Sequence, residues 1–118
     1  IIDCHGHYTT APAAHQRFRD AQIARISDPS APPALPAQIS DAEICDTIEA
    51  NQLKLQRQRG ADLTIFSPRA SFMAHHIGDF AVSSTWASIC NQLCYRVSKL
   101  FPEHFIGAAM LPQSPGVD

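Results

Sequence analysis

The sequence predicts an α/β protein with a parallel sheet. Three observations carry that expectation. Apolar runs of strand length recur near the start, the middle and the end of the chain; helical periodicities lie between them; and glycine or proline punctuates the junctions. Strands separated by helices pair in parallel through crossover connections, which are right-handed.

Residues 1–7 read as a short strand that opens on Ile1-Ile2 and runs into a polar end. Thr9 or Thr10 is expected to cap a helix over roughly 12–26, with Pro12 in its first turn. Phe18, Ile23 and Ile26 are the apolar positions on its mostly polar body. Pro29, Pro32, Pro33 and Pro36 make 27–39 a loop of polyproline character, too short for a domain linker. Ser40-Asp41-Ala42-Glu43 is a capping box, in which Ser40 accepts a backbone N–H and Glu43 reaches back. The helix it opens is expected to run to about Arg59, with Ile44, Ile48 and Leu55 along one face and Gly60 as a left-handed stop.

A second strand, 61–67, ends at Pro68. Residues 68–79 form a loop carrying Arg69, Ser71, His75 and His76. A helix over roughly 80–101 places Trp86, Ile89, Cys90, Leu93, Val97 and Leu100 at intervals of three and four, which makes one apolar stripe. Pro102 stops it. Phe105 to Leu111 is the third strand, closed by Pro112, and no internal repeat is visible.

With 118 residues, 45% of them apolar, the chain can build one core. A (β/α)₈ barrel typically needs ~250 residues. Either this is a small open α/β domain, or it is the N-terminal portion, about three βα units, of a TIM-like barrel. The polar strand ends favour the barrel. Residues 1–118 are then expected to be part of a single domain that continues past residue 118. The absent initiator Met places the expected true start slightly upstream of Ile1.

A net charge of −2 argues against a general nucleic-acid or anionic-membrane surface. No apolar run approaches the roughly 20 residues of a membrane helix, and no basic leader of a secretory signal is visible. Cys4, Cys45, Cys90 and Cys94 are too sparse for a disulfide scaffold and read as reduced thiols of a cytoplasmic protein. Homo-oligomerisation is left open.

The chemistry sits in Asp3-Cys4-His5-Gly6-His7. Strand alternation puts Asp3, His5 and His7 on one side, and Ile2 and Cys4 on the other, toward covering helices. Two histidines at i and i+2 near a strand end can converge on one ion, and zinc accepts imidazole nitrogen. Gly6 leaves room for a neighbouring element. A catalytic zinc usually has three protein ligands and an open position. At least one more ligand must therefore come from beyond residue 118, or from His15, His75 or His76.

Ile2-Asp3-Cys4-His5-Gly6-His7 resembles the first strand of the amidohydrolase superfamily, whose pattern is D-x-H-x-H. More narrowly, residues 4–12, 60–71 and 101–115 look like the 4-oxalomesaconate hydratase family. The resemblance spans nearly the whole chain and is weakest in the proline-rich loop. It implies a (β/α)₈ barrel with one Zn²⁺ at the C-terminal face of the strands and His5 and His7 as ligands. The family's further ligands, a His and a carboxylate, come from later strands that have no counterpart here. It further implies a small-molecule substrate, an unsaturated oxo-tricarboxylate from ring cleavage of protocatechuate- or gallate-type aromatics. The reaction implied is addition of water across a conjugated C=C bond. Zinc suits it by lowering the pKa of water from 15.7 toward about 7. The general acid is expected beyond residue 118. The alternatives are a zinc decarboxylase or hydrolase of the same superfamily and, from another class, a non-enzymatic α/β binding module.

Further candidates follow from position. Arg69, just past the second strand, could hold a substrate carboxylate bidentately. Ser71 and His75 could hydrogen-bond the substrate, and Tyr8 could line its pocket. Asp3 is expected to support a ligand from behind. Cys90 and Cys94, one helical turn apart, read as core thiols rather than a metal pair, and so does Cys4. His15 and His104 are expected at the surface or at helix ends.

Overall fold

The computed structural model describes residues 1–69 and 77–112. The strands are β1 (Ile2–His7), β2 (Leu63–Ser67) and β3 (Phe105–Gly107); the helices are α1 (Ala13–Ser27), α2 (Asp41–Ala50), α3 (Gln52–Gln58) and α4 (Phe80–Leu100). The three strands form one parallel sheet in the order β1-β2-β3. The α/β class and the chain order of elements are those expected.

Period-two burial on β2 shows which face the helices cover. Thr64 and Phe66 are buried, as is Phe105 on β3. Phe66 and Phe105 share one core with Ile44 and Ile48 from α2, Leu53 from α3, and Leu93, Cys94 and Val97 from α4, with Tyr8 in the same cluster. Ile65 and Ile106 pair with each other at opposite parity and are 37% and 50% exposed. Among the described residues, the helices therefore pack on one face and leave an apolar row on the other.

The capping box forms as expected. The Glu43 N–H donates to Ser40 Oγ at 3.2 Å, and the Ser40 N–H donates to Glu43 Oε2 at 2.9 Å. Gly60 adopts φ +66, the left-handed stop. The continuous helix expected from 41 to about 59 is instead two. Asn51 leaves helical geometry (φ −126, ψ −86), and its Nδ2 donates to the Thr47 carbonyl at 2.9 Å. The side chain thereby takes the acceptor that a continuing helix would give to the Asn51 N–H. The phase shifts at this break: Leu53 and Gln56 are buried, while Leu55, expected on the apolar face, is 45% exposed.

Other expectations are corrected similarly. Neither Thr9 nor Thr10 caps α1, whose N-cap is Pro12. Thr10 Oγ1 donates to Gln52 Oε1 at 2.7 Å, and Gln52 Nε2 donates to Thr9 Oγ1 at 3.2 Å, so both threonines tie the end of β1 to α3. On α1 the buried side chains are Phe18, Arg19 and Gln22, while Ile26 is 41% exposed. The third strand stops at Gly107 rather than Leu111. Beyond it, the Asn91 side chain of α4 satisfies both the N–H and the carbonyl of Met110, at 2.8 Å each, so the segment needs no ladder partner. No described helix is long and apolar enough to cross a membrane.

Candidate functional site

β1 is not a regular strand. Asp3 pairs with Thr64 and Gly6 with Phe66, three steps on β1 against two on β2. The extra residue is a β-bulge, which bends a strand and re-aims its side chains. Strict alternation of Asp3, His5 and His7 is thereby broken, because Asp3 pairs with Thr64 and His7 with Ser67, neighbours of opposite parity. Asp3 serves the bulge itself: its Oδ1 accepts the His5 backbone N–H at 3.0 Å. Gly6 is required there, since a Cβ would lie 2.2 Å from Thr64 Cγ2 and 3.1 Å from the Ile65 carbonyl oxygen.

The bulge delivers the two histidines to each other. His5 Nε2 and His7 Nε2 lie 3.2 Å apart, with the rings edge to face. Two nitrogens each about 2.05 Å from a shared ion and separated by this distance subtend about 100° at it, near the tetrahedral angle of zinc sites. His7 is also held from behind. Its Nδ1 lies 3.0 Å from the Pro68 carbonyl oxygen and 2.7 Å from Ser67 Oγ. A carbonyl oxygen can only accept, so Nδ1 carries the proton and Nε2 presents a lone pair, the arrangement of a metal-ligating imidazole. The pair therefore fits a divalent metal. Among the described residues no third His, Cys, Asp or Glu joins it.

An open cleft beside β1 is lined by His5, His7, Gln52, Gln56 and Arg59, among others. Gln56 is 5% exposed and ties α3 to β2 and to the turn before β3, donating to Thr64 Oγ1 at 3.1 Å and to the His104 carbonyl at 2.9 Å. Arg69 is exposed and directly follows Pro68, so the peptide that holds His7 also places Arg69 at the same end of the sheet. Ser71 and His75, with His76, lie outside the described residues.

Tyr8 is 3% exposed, and its hydroxyl is 2.7 Å from Thr47 Oγ1. Burial pushes that hydroxyl up to about 12. It pins β1 to α2. Cys4, expected in the core, is exposed, because the bulge carries it out of the alternation that would bury it. All four cysteines are free thiols. Cys90 and Cys94 are core thiols as expected, and burial pushes each up to about 12, away from the thiolate a metal would need.

His15 lies at a helix end as expected, in the first turn of α1, but half-buried rather than at the surface. Its ring stacks on Trp86 (4.4 Å, 11°), and its Nε2 is 3.6 Å from Cys90 Sγ. His104 sits in the turn before β3, where its carbonyl accepts the Thr64 N–H at 2.9 Å. Sequence reasoning missed Ser67 and the Pro68 carbonyl. Their signal was faint: a hydroxyl and a proline closing the strand next to the one that ends in histidine.

No family model matches the chain. Over its full length the chain is 58% identical to a 2-keto-4-carboxy-3-hexenedioate hydratase of Sphingobium sp., of which it covers 34%. It is 64% identical to a crystal structure of 4-oxalomesaconate hydratase from Rhodopseudomonas palustris. That likeness has a TM-score of 0.88 and covers all of this chain and 35% of that one. The chain thus spans about a third of the length of proteins that carry these two hydratase names, and it is similar to both from end to end.

Proposed function

We propose that the chain belongs to a zinc-dependent hydratase that adds water across the conjugated C=C bond of an unsaturated oxo-tricarboxylate of the 4-oxalomesaconate type. The observation that carries the reading is the convergence of the His5 and His7 Nε2 atoms at 3.2 Å. The reaction and substrate class come from the two similar hydratases, which act in the chemistry their names describe. We assign the protein to the amidohydrolase superfamily on its D-x-H-x-H strand, and its three strands to part of a (β/α)₈ barrel. The half-exposed Ile65 and Ile106 row supports this, because such a barrel would turn that face inward. Its place in the breakdown of aromatic compounds in the cytoplasm belongs to the same reading.

In this assignment His5 and His7 hold the metal, and Asp3 holds the bulge that brings them together. Bound zinc supplies Lewis acidity and lowers the pKa of water. Arg69, at the same end of the sheet, binds one substrate carboxylate through two parallel N–H donors. The oxygen of water adds to the electron-poor carbon of the conjugated acid, and a proton is delivered to its neighbour.

The test is turnover of the conjugated oxo-acid by the complete protein, followed by loss of its ultraviolet absorbance while the headspace is assayed for CO₂. Hydration predicts absorbance loss that stops on chelation and one hydrated product of the same carbon count. Release of CO₂ in step with absorbance loss would make the enzyme a decarboxylase instead.

A further inference from the structure

The geometry points to Ser67 as the positioning residue for His7, an inference that rests on reading His5 and His7 as metal ligands. Ser67 is the ladder partner of His7 and touches the end of β1 at three places. Its hydroxyl donates to the Gly6 carbonyl at 3.1 Å, its oxygen lies 2.7 Å from His7 Nδ1, and its carbonyl accepts the Tyr8 N–H at 2.9 Å.

Proton bookkeeping fixes the direction of these contacts. A hydroxyl has one proton to give. If Ser67 gave it to His7 Nδ1, the Gly6 carbonyl would lose that hydroxyl as a donor. The Nδ1 lone pair would also face the Pro68 carbonyl oxygen at 3.0 Å, acceptor against acceptor. With the proton on Gly6, both Ser67 Oγ and the Pro68 carbonyl accept from Nδ1–H. The ring then has one tautomer and one orientation, and its Nε2 lone pair points toward His5. His5 has no such support among the described residues: the structure gives its ring only the contact with His7. Ser67 therefore makes His7 the pre-oriented member of the pair that would hold the ion. Outer partners of this kind typically contribute 10–100-fold in metal affinity.

The experiment uses the complete protein with Ser67→Ala, Ser67→Thr and His7→Ala. Zinc affinity is measured by competition with a chromophoric chelator, and the His7 tautomer is read by ¹⁵N NMR of the metal-free protein. Ser67→Ala is expected to weaken zinc roughly 10–100-fold, whereas Ser67→Thr, which keeps the hydroxyl, holds wild-type affinity. Metal-free wild type is expected wholly in the Nδ1–H form, and Ser67→Ala, left with the Pro68 carbonyl alone, in a mixture still dominated by that form. Wild-type affinity in Ser67→Ala, equal weakening in Ser67→Thr, or an Nε2–H tautomer in wild type would each overturn the inference. Full zinc binding by His7→Ala would overturn the ligand reading instead, and the NMR arm would still decide what Ser67 does.

Discussion

Two histidine environments in this small chain teach opposite lessons about the same side chain. At the end of β1, the Nε2 atoms of His5 and His7 lie 3.2 Å apart, and His7 Nδ1–H donates backward to a carbonyl and a hydroxyl. Between α1 and α4, His15 lies flat on Trp86 beside Cys90, and its Nδ1 is buried without a partner. Burial, helped by the charge of Arg19, pushes its pKa down to about 4. The first site spends hydrogen bonds to aim a lone pair. The second keeps an imidazole neutral so that it can serve as an aromatic plate. What sets His7 apart from His15 is the pair of acceptors that holds its far nitrogen, not its nearness to another histidine.

The sharpest way to break this contrast is His7→Ala, which should abolish stoichiometric metal retention by the complete protein, as read by elemental analysis. His15→Gln should leave metal content unchanged. Next comes Gly6→Ala, since its methyl would overlap Thr64 Cγ2 and press on the β2 backbone. Overpacking of this kind typically costs about 1–3 kcal/mol, and here it should also separate the two rings. Denaturant unfolding together with zinc affinity would read both effects. Unchanged stability and affinity would mean that the bulge is not what brings the pair together.

Arg69→Ala is expected to be milder in fold and selective in function. Loss of a charge-assisted pair at about 1.5–3 kcal/mol corresponds to roughly 10–150-fold in kcat/KM, carried mainly by KM, with metal content intact. Unchanged kinetics would remove Arg69 from the site.

The last effect is read in stability alone and is a pH slope. His15 has a folded-state pKa depressed to about 4 against an ordinary 6.5, so below 6.5 the unfolded chain takes up the proton first. Its contribution to stability is complete above about 6.5 and is lost as pH falls from there to about 4. His15→Gln should flatten urea-unfolding stability across that window relative to wild type. An unchanged slope would place the titration elsewhere.

What could be read from the sequence was what local chemistry decides. The capping box at Ser40, the stop at Gly60, the apolar stripe of α4 and the D-x-H-x-H strand each follow from a few neighbouring residues. What escaped was set by partners distant in sequence. The bulge exists only in the pairing of β1 with β2, so alternation alone placed Asp3 beside the histidines and Cys4 in the core. The break at Asn51 turns on one side chain competing for the Thr47 carbonyl, and it moved Leu55 out and Gln56 in. His15 reads as a surface residue until Trp86, 71 positions later, is packed against it. The His5–His7 pair could be located from sequence, whereas its aim depends on Ser67 and Pro68 across the sheet.

The most direct measurement is an anomalous difference map at the zinc edge from crystals of the complete protein. Joint ligation by His5 and His7 predicts one peak about 2.0–2.1 Å from both Nε2 atoms, with the Pro68 carbonyl still bonded to His7 Nδ1. A zinc peak elsewhere, with the two rings still in direct contact, would contradict it.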